Sequence, residues 1–177
     1  EQTGAAWATA EAEAEGNAAM RWAAERLTEE NKAWLRQLPQ TLRITLAGRS
    51  VFLFHGSPIK QTEYLWASRP SRVFARLASD EADDLFCFGH THEAWHRVVG
   101  QAHVVACGSV GCGTDGDARA RYAVVYIGEP DIAVGFRSVD YDHASVVRDM
   151  AQIGRSIDLL REPPAVHPHV PTEATPA

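Results

Sequence analysis

Three histidines follow two apolar segments and are the strongest candidates for chemistry in this sequence. His55 comes directly after residues 51–54, and His90 and His92 come just after residues 85–88. Imidazole nitrogen is a good ligand for Zn, Mn, Fe, Co or Ni. Because His90 and His92 are two residues apart, in an extended segment both side chains point to one side and can bind one metal ion or two adjacent ions. The alternative is that His-Thr-His is only a polar turn between strands.

The two apolar segments are predicted to be short strands that position these histidines. Ligand sites gather at strand ends in α/β sheets. Gly56 and Gly89 flank the histidines, and glycine lets the backbone bend sharply or approach a neighbour closely where a Cβ would obstruct it. The three imidazoles can therefore converge at one edge of a sheet.

The remaining pattern places helices at the two ends of the chain and strands between them. Residues 18–38 are predicted to form two helical pieces, with Thr28 capping the second and Pro39 ending it, and with Trp22 and Trp34 as core anchors. Further strands are predicted at 42–46, 95–99, 103–107, 122–127 and 132–139, a long loop at 57–72, a short helix at 73–78 and a helix at 144–160.

Composition restricts the function classes. The 177 residues include 17 Lys+Arg and 23 Asp+Glu, a net charge of −6, which argues against general nucleic-acid binding. No segment approaches the ~20 apolar residues of a membrane span. The three cysteines are an odd number without Cys-x-x-Cys spacing, which favours a reducing, cytoplasmic location. The first residue is Glu1 rather than Met, so we expect that the gene product starts further upstream.

Three short motifs occur in an order that resembles one family. These are His-Gly-Ser-Pro at 55–58, Gly-His-Thr-His at 89–92 and Gly-Ser-Val-Gly at 108–111. They resemble motifs of the calcineurin-like metallophosphoesterases, especially the compact bacterial and archaeal group described as diadenosine-tetraphosphatase-like. The resemblance includes Glu-Tyr-Leu at 63–65 and covers about residues 17–155.

The resemblance implies an α+β or α/β fold, a metallophosphoesterase-type β-sandwich flanked by helices, with a dinuclear metal centre at the strand ends. His55 and His90 would bind the second metal and His92 the first. The cofactors would be two divalent ions, drawn from Mn, Fe, Zn, Ni and Co. A hydroxide activated by both ions would hydrolyse a phosphate ester, and we expect a nucleotide-like substrate, with oligomerisation left open.

The family's N-terminal motifs, which supply the bridging Asp and the catalytic His, are absent from this sequence. We therefore expect the catalytic residues upstream of Glu1. Residues 1–162 would be the C-terminal part of a single domain, with 1–16 a linker or an insertion and 163–177 a disordered Pro-rich tail. The missing N-terminal portion of the domain would be a required partner. The alternative is a non-catalytic metal-binding or interaction module that retains only part of the metal site.

Smaller departures and loops give further expectations. Ala106-Cys107 stands where the family usually has Asn-Pro, and burial of Cys107 is favoured over a role as a soft metal ligand. Arg119 and Arg121 are expected to be solvated rather than bound to substrate phosphate. An exposed Tyr64 and Trp66 in the long loop would form a dimer contact or stack on a substrate base. His96 and His103 are expected at the surface or next to the site.

Overall fold

A computed structural model describes residues 9–128 and 131–154 of the chain. In chain order the elements are α1 (Ala10–Arg26), α2 (Glu29–Gln37), β1 (Thr41–Leu46), β2 (Arg49–His55), α3 (Ser71–Glu81), β3 (Leu85–Gly89), β4 (Ala94–Val99), β5 (Ala102–Cys107), β6 (Ala120–Ile127), β7 (Ile132–Val139) and α4 (His143–Gln152). The predicted mixed α+β architecture, with two sheets and flanking helices, is confirmed.

The strands form one large and one small sheet. The large sheet has the order β1-β2-β3-β5-β4, in which β2, β3 and β5 are parallel and the two edge strands run antiparallel to their neighbours. The small sheet is the antiparallel pair β6-β7. Parallel central strands are buried on both faces, which explains why residues 51–54 and 85–88 are continuously apolar rather than alternating.

Alternate side chains of the large sheet enter two separate core clusters. On one face Phe52, Phe86 and Val104 pack with Phe74 of α3, and all four are at most 2% exposed. The opposite face carries Val51, Leu85 and Val105, which pack with Ile132 of the small sheet. The parallel strands are thus fixed between a helix and a second sheet, and their carboxyl ends, where the histidines lie, are held in register.

The N-terminal helices differ from the sequence prediction. Helix α1 begins at Ala10 rather than near Ala18, because the preceding Ala/Glu run is a good helix former. Helix α2 is capped as predicted, with the Thr28 Oγ accepting a hydrogen bond from the Asn31 N–H at 3.2 Å. The prediction that Trp34 anchors the core is wrong, since its side chain is 61% exposed and α2 has no buried residue.

The C-terminal region is described only in part. Helix α4 runs from His143 to Gln152, and the predicted extension to Leu160 lies outside the described residues, as does the predicted disordered tail at 163–177. Among the described helices, none is long and apolar enough to cross a membrane.

Candidate metal-binding site

The first two histidines meet because β2 and β3 are parallel neighbours. His55, the last residue of β2, is in register with Gly89, the last residue of β3, and His90 follows immediately. The His55 Nε2 and His90 Nδ1 atoms are 3.1 Å apart, and the ring centroids are 5.0 Å apart. The predicted convergence of His55 and His90 at one edge of the sheet is therefore present in the structure.

Gly56 and the histidine turn have the backbone conformations that this meeting requires. Gly56 has φ +68°, and a Cβ built on it would lie 2.3 Å from the backbone oxygen of Gln61. Its N–H donates to the Gly89 carbonyl at 3.0 Å, which ties the two strand ends together. His90 and His92 have φ of +125° and +59°, a region that non-glycine residues occupy at a cost. The turn is thus held in a strained backbone conformation at both histidines.

The Nε2 atom of His90, the ring nitrogen that does not face His55, is the clearest indication that the site binds a ligand. This atom is buried and has no hydrogen-bond partner among the described residues. Leaving a buried polar atom unpaired costs about 1–3 kcal/mol. Because Nδ1 faces His55, Nε2 is the atom that a metal ion would take. The residues present therefore fit metal ligation at this position.

Both imidazoles favour the neutral state, which is the metal-binding form. Burial lowers the pKa of His55 below its ordinary value, and the nearby His92 lowers it further. Burial and the neighbouring His55 lower the pKa of His90, and the Thr62 carbonyl partly offsets this. Near neutral pH both rings consequently offer a nitrogen lone pair rather than a positive charge.

His92 is placed differently from the other two histidines. Like His55 it is exposed, but it borders a cavity of about 250 Å³ whose lining includes Glu93, Asp115 and Arg121. Within residues 9–128 and 131–154, no group of three or more His, Cys, Asp or Glu side chains is arranged to hold a metal ion. The structure therefore pairs His55 with His90 and leaves His92 on the adjoining turn.

A tyrosine from the long loop also contacts the histidine pair. The Tyr64 ring lies 4.2 Å from the His90 ring, centroid to centroid, and Trp66 stacks on Tyr64 at 5.1 Å with an angle of 6° between the planes. The sequence did not predict that Tyr64 covers His90. The available signal was its position in the loop that begins directly after His55. Both aromatic residues are partly buried, so the expectation that they are exposed is wrong.

The Gly-Ser-Val-Gly motif forms a turn between β5 and the start of β6. The Ser109 Oγ accepts hydrogen bonds from the backbone N–H groups of Gly111 and Cys112, at 3.4 and 2.9 Å. The Arg121 N–H donates to the Ser109 carbonyl at 2.9 Å. Gly108 has φ +85° and is crowded by the Cβ atoms of Ala94 and Arg121, each 3.2 Å from the position of a Cβ. The motif therefore joins the large sheet to the small one beside the His92 cavity.

The two arginines that follow this motif are occupied by carboxylates. Arg119 and Arg121 both pair with Asp117, at 2.7 and 2.8 Å, and Arg121 also pairs with Asp115. Arg119 is half exposed, as predicted, but the Arg121 side chain is only 20% exposed. The expectation that Arg121 is solvated is wrong, because the aspartates of the 114–117 turn draw it in.

Cys107 of β5 lies on the face of the large sheet that packs against the small sheet. It is partly buried, as predicted, and is hydrogen-bonded to Cys87 on β3. This hydrogen bond lowers the pKa of Cys107 to about 7 and, together with burial, raises that of Cys87. Between the edge strand β4 and its neighbour β5, His96 Nε2 and His103 Nδ1 are 3.0 Å apart with their rings stacked. The sequence did not predict either pairing, because both depend on strand register.

Comparison with known proteins identifies the family. The model of the calcineurin-like phosphoesterase superfamily domain matches residues 13–129, well over half of the chain. The chain belongs to this family. No curated protein matches the chain significantly.

Two solved structures resemble the fold. A hypothetical protein from Pyrococcus horikoshii matches with a TM-score of 0.68 and 19% identity over 77% of this chain and 54% of that one. A metallophosphoesterase from Sphaerobacter thermophilus matches with a TM-score of 0.61 and 26% identity over 79% of this chain and 64% of that one. The chain therefore spans slightly more than half to about two thirds of the length of these relatives, and its mixed α+β fold, with a central sheet flanked by helices, matches theirs.

Proposed function

We propose that this chain is the part of a metal-dependent phosphoesterase that supplies the imidazole ligands His55, His90 and His92, with a nucleotide-like phosphate ester as the substrate. The observation that carries the proposal is the contact between His55 and His90, in which His90 Nε2 is buried and unpaired among the described residues. Family membership supports the reaction class.

The chain's own residues would bind and orient the metal rather than transfer protons. His90 Nε2 and the neutral imidazole of His55 would hold one ion, and His92 would hold a second from the adjoining turn. Divalent ions at this position neutralise phosphoryl charge and lower the pKa of water, which makes attack on a phosphate ester feasible. The positive φ of Gly56, His90 and His92 supports a site whose backbone is held in one conformation before metal binds.

The anionic ligands of the centre are proposed to come from another segment, an N-terminal portion of the domain. Two cations about 3.5–4 Å apart repel each other strongly unless carboxylates offset the charge. Exposed apolar side chains on one face of the large sheet, the face that packs against the small sheet, support this arrangement. Leu42, Ile44 and Leu46 of β1 lie on the face that the small sheet covers further along, and they are 45%, 36% and 46% exposed. Further strands beside the small sheet would bury this stripe.

The test is metal-stimulated hydrolysis by the full-length protein that contains these 177 residues. Bis(p-nitrophenyl) phosphate and p-nitrophenyl phosphate would be assayed with Mn²⁺, Zn²⁺, Ni²⁺ and Co²⁺. His55→Ala and His90→Ala are expected to reduce the rate at least about 100-fold, since each removes a direct ligand. His143→Ala, on α4, is the matched control and should retain the rate. Hydrolysis that is unchanged in both ligand variants would reject the proposal.

The non-catalytic module remains the second candidate function. It is favoured by the finding that the described residues hold no complete set of three metal ligands. This candidate predicts that the full-length protein binds metal through His90 and hydrolyses neither ester, whereas the phosphoesterase proposal predicts both binding and turnover.

A further inference from the structure

Residues 63–66 direct two aromatic rings to the same side of the loop. Leu65 is buried, 3% exposed, and packs in the core cluster that contains Phe74. Tyr64 and Trp66 flank it in sequence and stack on each other, so both rings are on one side and neither joins a core cluster. Two large aromatic side chains are thus kept out of the core and beside the histidines.

The loop that carries these rings is fixed at several points. The Ala67 N–H donates to the Glu93 carboxylate at 2.8 Å, and Arg97 Nη2 donates to the Ala67 carbonyl at 2.8 Å. Arg69 pairs with Glu63 at 2.8 Å across the aromatic segment. Because both ends of the segment are anchored, little conformational entropy would be lost when a ligand stacks there.

The rings also lie within reach of a group bound at the histidines. Tyr64 contacts the His90 ring at a tilt of 35° and stacks on Trp66, and the two centroid distances together place the Trp66 ring within roughly 9 Å of the His90 ring. One sugar ring or one short linker can bridge such a distance. An aromatic side chain can stack on any nucleobase, because every base has a flat π face. One stacked base contributes about 1–3 kcal/mol to the binding free energy.

We infer that Trp66, supported from behind by Tyr64, forms an aromatic platform on which a planar ring of the substrate's organic group stacks, while its phosphate lies at the histidines. This inference rests on the proposed phosphoesterase function and specifies its substrate class: phosphoesters that carry a nucleobase or another aryl ring. Trp66 is the outer ring of the platform and determines specificity, whereas Tyr64 also packs against His90.

The test compares three phosphodiesters that share a p-nitrophenolate leaving group and differ in the second ester group, which is methyl, p-nitrophenyl or thymidine. In the full-length protein, Trp66→Ala is expected to lower kcat/KM for the two esters whose second, non-leaving group carries a ring by about 5- to 150-fold, which corresponds to about 1–3 kcal/mol. The methyl ester should change less than about twofold, and Trp66→Phe should retain most of the preference. A loss confined to the thymidine ester would identify a nucleobase as the ring.

Trp34→Ala on α2 is the matched control, since this tryptophan is 61% exposed and belongs to a different element. Equal losses for all three esters, or no loss for any, would overturn the platform. Calorimetric titration with thymidine 5′-phosphate and ribose 5-phosphate separates this inference from the proposed function. Tighter binding of the thymidine compound that Trp66→Ala abolishes would support the platform even without hydrolysis, whereas equal binding by the wild type would overturn it.

Discussion

Replacing Gly56 with Ala tests how the backbone holds the histidine site. Gly56 follows His55 directly and has φ +68°, and an added Cβ would lie 2.3 Å from the Gln61 oxygen and 2.8 Å from the Lys60 oxygen. Both obstacles are backbone atoms, which cannot rotate away as a side chain would. The loop from Ser57 onward must therefore move, and it carries Tyr64 away from His90.

A matched control separates the expected loss of unfolding free energy into a part from the left-handed backbone conformation and a part from the steric clash. Gly48 has φ +75° and nothing within 4 Å of an added Cβ, so Gly48→Ala measures the left-handed conformation alone, about 1–2 kcal/mol. Gly56→Ala adds an overpacking penalty of about 1–3 kcal/mol. We expect a total loss of about 2–5 kcal/mol in the free energy of unfolding, with weaker metal binding as a second effect.

Urea denaturation of both variants, followed by tryptophan fluorescence, gives the two free energies of unfolding directly. The control should lose clearly less stability than Gly56→Ala and should bind Zn²⁺ like the wild type. If the two variants were destabilised equally, the clash with the Gln61 and Lys60 carbonyls would not exist in solution, and the described loop position would be wrong.

Three further predictions follow from the packing and the ionisable groups. Burial lowers the pKa of His55 and His90 in the folded protein, so the unfolded chain takes up protons first as the pH falls through about 6.5. The free energy of unfolding should therefore fall between about pH 7 and pH 5, and it should fall by less in the double variant His55→Gln/His90→Gln. Identical plots of unfolding free energy against pH for the wild type and the double variant would contradict this. Cys87→Ala should raise the pKa of Cys107 from about 7 towards its ordinary value of about 8.5, measured by thiolate absorbance, because it removes the S–H donor that stabilises the thiolate; an unchanged pKa in that variant would show that Cys87 is not the cause. Thr28→Ala should cost about 0.5–2 kcal/mol of stability in urea denaturation by removing the cap of α2, with Thr28→Ser retaining most of it, and an equal loss in both would refute the capping role.

The sequence predicted the strands better than the helices. Apolar runs flanked by glycine located β2 and β3 to within two residues, because strands buried on both faces leave a continuous apolar run. Trp34 was assigned to the core wrongly, since a helical pattern shows which side chains share a face but not whether another surface covers that face.

The residues of the candidate site and the approach of His55 to His90 could be predicted from the sequence, but the other contacts of the site could not. The motifs identified His55 and His90, and parallel pairing of the strands that carry them produced the predicted contact. The contact of Tyr64 with His90 depends on the path of an irregular loop, for which the sequence carries no periodic signal. The positive φ of His90 was equally hidden, because such backbone usually selects Gly or Asn.

The central claim is that His55, His90 and His92 bind metal, and a crystal structure of the full-length protein grown with Zn²⁺ tests it most directly. Anomalous scattering at the zinc edge should show an ion about 2.0–2.1 Å from His90 Nε2, with an imidazole nitrogen of His55 as a second ligand and His92 on the same or a neighbouring ion. Anomalous density elsewhere, with His90 Nε2 still without a metal ion, would contradict the account.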